Sequence, residues 1–344
     1  MSRHPYQGLS AAHFWSRSVA APGAHEIDPM VGTPFTITEA DRVATMGSCF
    51  AQHLSRFLQD AGLNYFVPEA GDPAHGYGVF SARYGNVYTV RQAVQLFDRA
   101  HGAWQPLDSA WRHGERFVDP FRPQVEPEGF ASEAALVADR ESHLEAVRRM
   151  FHESSVLVLT LGLTEGWRDR RDGAVYPVVP GAAGGTFDPE RHEFVNFTAA
   201  EVADDLRALI DRAREMNPSL RFILTVSPVP LIATYTDAHV LAATTYSKSV
   251  LRVAATEAER TRENVVYFPS YEVITGVAAG NAYFQDDLRS VSDRGVAHVM
   301  RVFSRHLLDG VAESTHDQNG GERVADELRR TAQVVCDEEV LGAG

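Results

Sequence analysis

The sequence predicts an α/β fold with a mainly parallel sheet covered by helices on both faces. Two patterns carry this: short apolar, β-branched runs recur along the chain, and one-sided helical stretches separate them. The alternation starts at Arg42, with Val43–Met46 as first strand, then Gly47-Ser48-Cys49, then a helix over Phe50–Ala61. Residues 63–67 are a candidate second strand, and Tyr88–Ala100 and Ser132–His152 read as helices. Ser155–Leu161 is continuously apolar, the mark of a strand buried on both faces. Helix 198–216 places Leu206, Leu209, Ile210 and Ala213 on one side and stops at Asn217-Pro218. Arg221–Val226 is the next strand, followed by helix 239–262, strand 264–267 and a last helix carrying Val296, Val299, Met300, Phe303 and Leu307. In such a sheet the strand C-terminal ends share one edge, and ligands bind there.

The remaining segments set the expected organisation. Residues 1–40 read as an irregular arm, 41–309 as one domain, and 310–344 as an acidic tail. Residues 101–130 and 166–195 read as lid-like insertions, the second inside a Gly- and Pro-rich loop over 162–195. A formal net charge of -14 argues against a nucleic-acid or anionic-membrane binder. No run approaches the ~18 apolar residues of a membrane span, and the first thirty residues lack a signal-peptide core. Two cysteines far apart, Cys49 and Cys336, give neither a zinc spacing nor a disulfide framework. These features predict a cytoplasmic protein. The 14 histidines form no metal-spaced cluster, and no nucleotide-binding glycine motif is present. No metal and no nucleotide cofactor is expected.

The strand–Gly-Ser-Cys–helix junction is the most informative segment. A helix N-terminus stabilises a thiolate and aims backbone N–H groups at an oxyanion. The bland alternative is a capping Ser48 and a small buried Cys49. His239 opens helix 239–262, where a histidine tends to stay neutral, as a base requires. His298 lies ~200° from the apolar stripe of the last helix, at ~100° per residue, and faces solvent unless the arm covers it. Ser247 and Lys248 read as packing and surface ion-pair groups.

Thr45-Met46-Gly47-Ser48-Cys49-Phe50-Ala51 resembles the motif that names the GSCFA family. His4-Pro5-Tyr6, Arg83 to Thr89, Leu159 to Gly162, Thr225 to Pro230, Tyr246 to Ser249 and Tyr267 to Glu272 look like further family blocks in family order. The resemblance spans roughly residues 4–308 and extends to the SGNH (GDSL-like) hydrolase superfamily. It implies a three-layer, flavodoxin-like sheet and a nucleophile just after the first strand, acting on an acyl ester or thioester. The superfamily's first block, laid over Gly47 to Phe50, puts the nucleophile on Cys49; a shift of one residue puts it on Ser48. Gly85 and Asn86 match the oxyanion block, where each donor is worth roughly 3–4 kcal/mol.

The later blocks depart from the pattern. Gly162-Leu163-Thr164-Glu165 stands where Gly-x-Asn-Asp is usual, so Thr164 replaces an asparagine donor and Glu165 keeps a carboxylate. Asp287-Leu288-Arg289-Ser290 stands where Asp-x-x-His is usual, so Ser290 occupies the histidine position. His239 and His298 are then the alternative bases, with Asp287 orienting whichever is used. The expected partner is a small acyl substrate, free or carrier-bound. The acceptor is open between water and another hydroxyl or amine, and carbohydrate O-acetyl esters are a rival substrate. The departures also leave open a catalytically inactive binding module for a glycan or acyl metabolite.

Overall fold

The computed structural model describes residues 4–309, so the tail expected over 310–344, with Cys336, lies outside the described residues. The described chain forms two compact units, residues 39–267 and residues 4–38 with 268–309. The expected arm thus groups with the C-terminal segment.

In the larger unit the order is β1 (Val43–Gly47), α1 (Ala51–Asp60), α2 (Val90–Ala100), β2 (Trp111–His113), β3 (Arg116–Val118) and α3 (Glu133–Glu153). Then come β4 (Val156–Leu161), β5 (Glu165–Asp169), β6 (Val175–Tyr176), β7 (His192–Asn196), α4 (Ala199–Met216), β8 (Arg221–Val226), α5 (Val240–Thr261) and β9 (Val265–Tyr267). The central sheet has the order β1-β4-β8-β9, and every neighbouring pair is parallel. The fold is therefore the mixed α/β architecture that the sequence predicts. All of β1, β4 and β9 is buried, which explains their unbroken apolar runs.

The candidate strand over 63–67 contracts to one parallel bridge between Val43 and Tyr65, flanked by Val43 N–H to Asn64 O and Phe66 N–H to Val43 O. Pro68, which has no N–H to offer a ladder, follows directly. With this segment as an edge, the chain leaves β1 in one direction to Tyr65 and then crosses back to β4. Right-handed crossovers put α1 on one face and α3, α4 and α5 on the other. The order reverses at β1 and β4, which makes their C-terminal ends the switch point.

Capping follows the sequence. Thr89 accepts from Gln92 N–H at the start of α2, and Thr198 from Glu201 N–H at the start of α4. The loop expected over 162–195 instead builds an antiparallel sheet, β6-β5-β7. It joins the β2–β3 hairpin of the other insertion in a second small core of Trp111, Val118, Ala174 and Tyr176. The two insertions are thus packed together.

The smaller unit holds α6 (Ser270–Thr275) and α7 (Asp293–Leu307). Ile37 N–H donates to Leu307 O at 2.6 Å, and Phe268 meets Phe303 edge-on at 5.1 Å. The predicted apolar stripe of α7, from Val296 to Leu307, is buried. Among the described residues, no helix is long and apolar enough to cross a membrane.

Gly47 is where the sheet is least forgiving. Its φ is 136°, and a Cβ there would stand 2.2 Å from Thr160 O. Gly47→Ala is expected to lose about 3 kcal/mol or more, through both backbone strain and displacement of β4. Urea unfolding of the variant checks this; a loss below about 1 kcal/mol would mean that β1 can move away from β4 freely.

Candidate active site

Three backbone segments meet at the C-terminal ends of β1 and β4. Ser48 N–H donates to Thr160 O at 3.1 Å, and Val87 N–H to Gly47 O at 2.9 Å. Gly162 and Leu163 N–H both donate to Tyr88 O at 3.1 Å. Gly162 must be a glycine here, because a Cβ would stand 2.9 Å from both Ser48 Cβ and Tyr88 O. The Gly-Ser-Cys turn, the Gly85–Tyr88 segment and the end of β4 are thereby fixed against one another.

Ser48 and Cys49 are both buried, at 2% and 3% exposure. Ser48 does not cap α1, which has no side-chain cap. Its Oγ has no hydrogen-bond partner, and neither does the Oγ1 of the fully buried Thr160, the residue opposite Gly47 on β4. The helix tip is less open than the sequence suggests. Ala51, Gln52 and His53 N–H already donate to Ser48, Cys49 and Phe50 carbonyls in a tightened first turn.

The other expected residues divide by unit. Asn86 is buried at the same edge and lines a small cavity. Thr164 is wholly engaged: its N–H donates to Ser247 Oγ at 3.0 Å and its Oγ1 to Asn196 at 2.7 Å. Glu165 accepts from Thr234 Oγ1 at 2.7 Å and from Tyr235 N–H, and burial raises its carboxyl above the ordinary value against those two bonds. His239 is exposed and caps its own helix, Nδ1 accepting from Leu241 N–H at 3.2 Å.

Asp287 and His298 belong to the smaller unit. Asp287 accepts from Ser290 Oγ at 2.6 Å and from the Arg289 and Ser290 N–H groups. Burial pushes its carboxyl up, but these bonds hold it below the usual range. His298 does not face solvent: Ile27 from the arm covers it, and it is 2% exposed. Its Nε2 donates to Ile27 O at 2.8 Å, which leaves Nδ1 to accept from Tyr283 OH at 2.7 Å.

One residue is placed differently from its sequence reading, and one carried no sequence expectation. Lys248, the only lysine in the sequence, is not a surface group; it is 2% exposed and donates to Gly162 O at 2.6 Å. With Ser247 it holds the β4–β5 turn from the inner face of α5. His53 stands one helical turn past Cys49, its ring 5.5 Å from Phe50. Burial, with help from Arg56, draws its pKa down to about 4, so the imidazole is neutral at pH 7. The signal for it was the four-residue spacing from Cys49.

Asp108, Asp169 and His192 bring ligand-type atoms within 4.8 Å of one another. They do not fit a metal. Asp169 accepts from Arg191 Nε at 2.8 Å and Arg171 Nη2 at 2.8 Å, and Asp108 is paired with the same two arginines. His192 Nδ1 accepts from Asp188 N–H, so Nε2 carries the proton of the neutral ring. Guanidinium groups already occupy the place of the cation.

A parallel α/β unit with a Gly-Ser-Cys turn at its switch point defines the class of protein. Residues 42–303 match the GSCFA family, and the chain belongs to it. No curated protein matches the sequence. Among solved structures, a carbohydrate esterase family 3 protein from Talaromyces cellulolyticus is similar at 12% identity, over 85% of this chain and 100% of that one, with a TM-score of 0.31.

The His298 environment gives a pH dependence. Burial lowers its pKa from 6.5 to about 4, so the folded state binds fewer protons than the unfolded chain between those values. This contribution to stability is complete above pH 6.5 and is lost as pH falls through 4, on the order of 3 kcal/mol. Urea midpoints from pH 7 to 4 are expected to fall less steeply in His298→Gln than in the parent; His53 and the fully buried His143 of α3, each drawn down to about 4 chiefly by burial, supply the remaining slope. An unchanged slope would show that the ring is not held neutral.

Proposed function

We propose that this protein is an acyl-transfer enzyme acting on an ester or thioester through the Gly-Ser-Cys turn. One observation carries the reading: the Ser48 hydroxyl is buried at the switch point with no hydrogen bond. Leaving a buried hydroxyl unsatisfied costs about 1–3 kcal/mol, a cost a nucleophile kept ready for substrate explains. Cys49 is the second choice, since its sulfur needs less activation.

In the first half-reaction the nucleophile bonds to the acyl carbon and gives up its proton to an imidazole. The proton passes to the leaving oxygen or sulfur as the carbonyl re-forms, which leaves an acyl-enzyme. Attack by water then makes the protein a hydrolase, and attack by a hydroxyl or amine makes it an acyltransferase. Asn86 and the Gly85 N–H are the oxyanion donors of this scheme. Thr164 is not, because its hydroxyl is committed to Asn196. His53 and His239 are the candidate bases on the larger unit. His298 would first have to give up the hydrogen bond from Tyr283. The acyl group can arrive free or on a carrier.

A second reading, a binding module without turnover, rests on Asp287: its side-chain partner is Ser290, where the resemblance expects a histidine. The two readings separate by assay. On p-nitrophenyl and acyl-thioester substrates, Ser48→Ala is expected to lose 10³-fold or more in kcat/KM while unfolding at the parent Tm or above, since its hydroxyl makes no bond. Fragment-ion masses of the acylated tryptic peptide Val43–Arg56, which holds both Ser48 and Cys49, identify the nucleophile. Loss confined to Cys49→Ala would move the role to the sulfur. Ligand binding with no turnover in the parent would leave the module reading.

A further inference from the structure

The most anomalous charge in the molecule lies in the small cavity behind Asn86. Arg99, near the end of α2, is 7% exposed, yet its Nη2 is buried with no hydrogen-bond partner. The guanidinium carbon lies 4.1 Å from the centre of the Phe121 ring. Arginine is almost never buried without a partner, because removing its charge from water costs several kcal/mol unless an anion replaces the water. The buried Asp119 carboxylate acts on Arg99 through its field, but it makes no ion pair with it. Asp119 is taken by Arg122 at 3.1 Å, Arg140 at 3.0 Å and the Phe121 N–H. Burial draws the Arg99 pKa down to about 10, with Asp119 opposing and Arg140 and Arg122 adding to the fall. It therefore stays charged at neutral pH.

The cavity measures about 20 Å³ and is shared by Asn86, Arg99 and Arg122 with apolar walls from Val87, Leu96 and Phe121. A water needs roughly 10–15 Å³ on this measure, so the slot takes the end of a ligand and no more. A planar guanidinium suits the two oxygens of a carboxylate; a tetrahedral phosphate is too large for the space. Asn86 links the slot to the nucleophile turn, since the next residue donates to Gly47 O. The larger cavity, about 320 Å³ in the other unit, is different: Arg305 is paired with Asp28, Arg301 bonds His25 O and His298 bonds Ile27 O.

We propose that the cavity behind Asn86 is the subsite for a short acyl group that ends in a carboxylate, and that Arg99 binds that carboxylate. The slot holds the carboxylate end alone, and Asn86 lies on the side that leads to the Gly-Ser-Cys turn. The assignment rests on the acyl-transfer reading for its kinetics but not for its binding.

The test uses the full chain and has two arms. In the first, mono-p-nitrophenyl succinate is compared with p-nitrophenyl butyrate. The parent is expected to prefer the succinyl ester at least 10-fold in kcat/KM, and that ratio is expected to fall about 100-fold in Arg99→Gln. In the second, succinate itself is titrated by calorimetry; the parent should bind it saturably, and Arg99→Gln and Arg99→Met should not. Thermal unfolding of both variants guards against misfolding, and losing an unpaired buried cation should leave Tm equal or higher. Equal succinate binding by parent and variants, or none by the parent at millimolar concentration, overturns the proposal and leaves Arg99 solvated by water alone. Succinate binding through Arg99 with neither ester turned over would uphold the subsite and sink the acyl-transfer reading.

Discussion

The passage of β1 against β4 at Gly47 and Thr160 is the constraint on which the site depends. No side chain fits between the two strands there, so the chain leaves β1 with a backbone conformation that only glycine adopts without strain. That exit presses Ser48 against Gly162, and Gly162 against the Tyr88 backbone. Every link is main chain to main chain: Ser48 to Thr160, Val87 to Gly47, Gly162 and Leu163 to Tyr88. The position of the turn is therefore insensitive to which side chains line it. Residues around such a frame can vary without moving the turn.

Polar groups around this frame fall into two sets. Behind the turn they are satisfied: Thr164 by Ser247 and Asn196, Gly162 O by Lys248, Glu165 by Thr234 and Tyr235. In contrast, the hydroxyls of Ser48 and Thr160 and Nη2 of Arg99 are buried without hydrogen-bond partners. Buried polar atoms are nearly always paired, so such a contrast within one edge separates scaffold from binding surface. The Asp108–Asp169–His192 cluster makes the same point from the other side. It looks like a metal site by residue type, but its arginines already supply the charge.

The sheet was legible because β1, β4 and β9 are buried on both faces, which forces continuous apolar sequence. The β6-β5-β7 sheet was not, because Gly173, Gly181, Gly184 and Gly185 dominate the segment and its strands are short and half-buried. The angle of His298 on its helix was readable, but its cover was not: Ile27 lies 271 residues earlier, and local periodicity carries no such information. Lys248 was misread for a related reason. Its charge type suggests a surface, and the carbonyl of Gly162, supplied by the distant β4–β5 turn, helps make its burial tolerable. Arg99 carried no sequence signal, since an arginine near a helix C-terminus is ordinary there.

The unpaired cation and the chain's overall charge act at different ranges. A net charge of -14 repels an anionic ligand at a distance and is screened beyond about 8 Å in physiological salt. A guanidinium sunk against Phe121 adds little to that distant field, but at contact it works in a medium that strengthens every ion pair. A buried cation gains nothing from long-range steering; under the proposed function it would discriminate only after a ligand has entered, by whether the buried end carries charge. Desolvation is thus the common feature of Ser48 and Arg99. Each is costly in the fold by itself, and under the proposed function a bound acyl substrate would satisfy both.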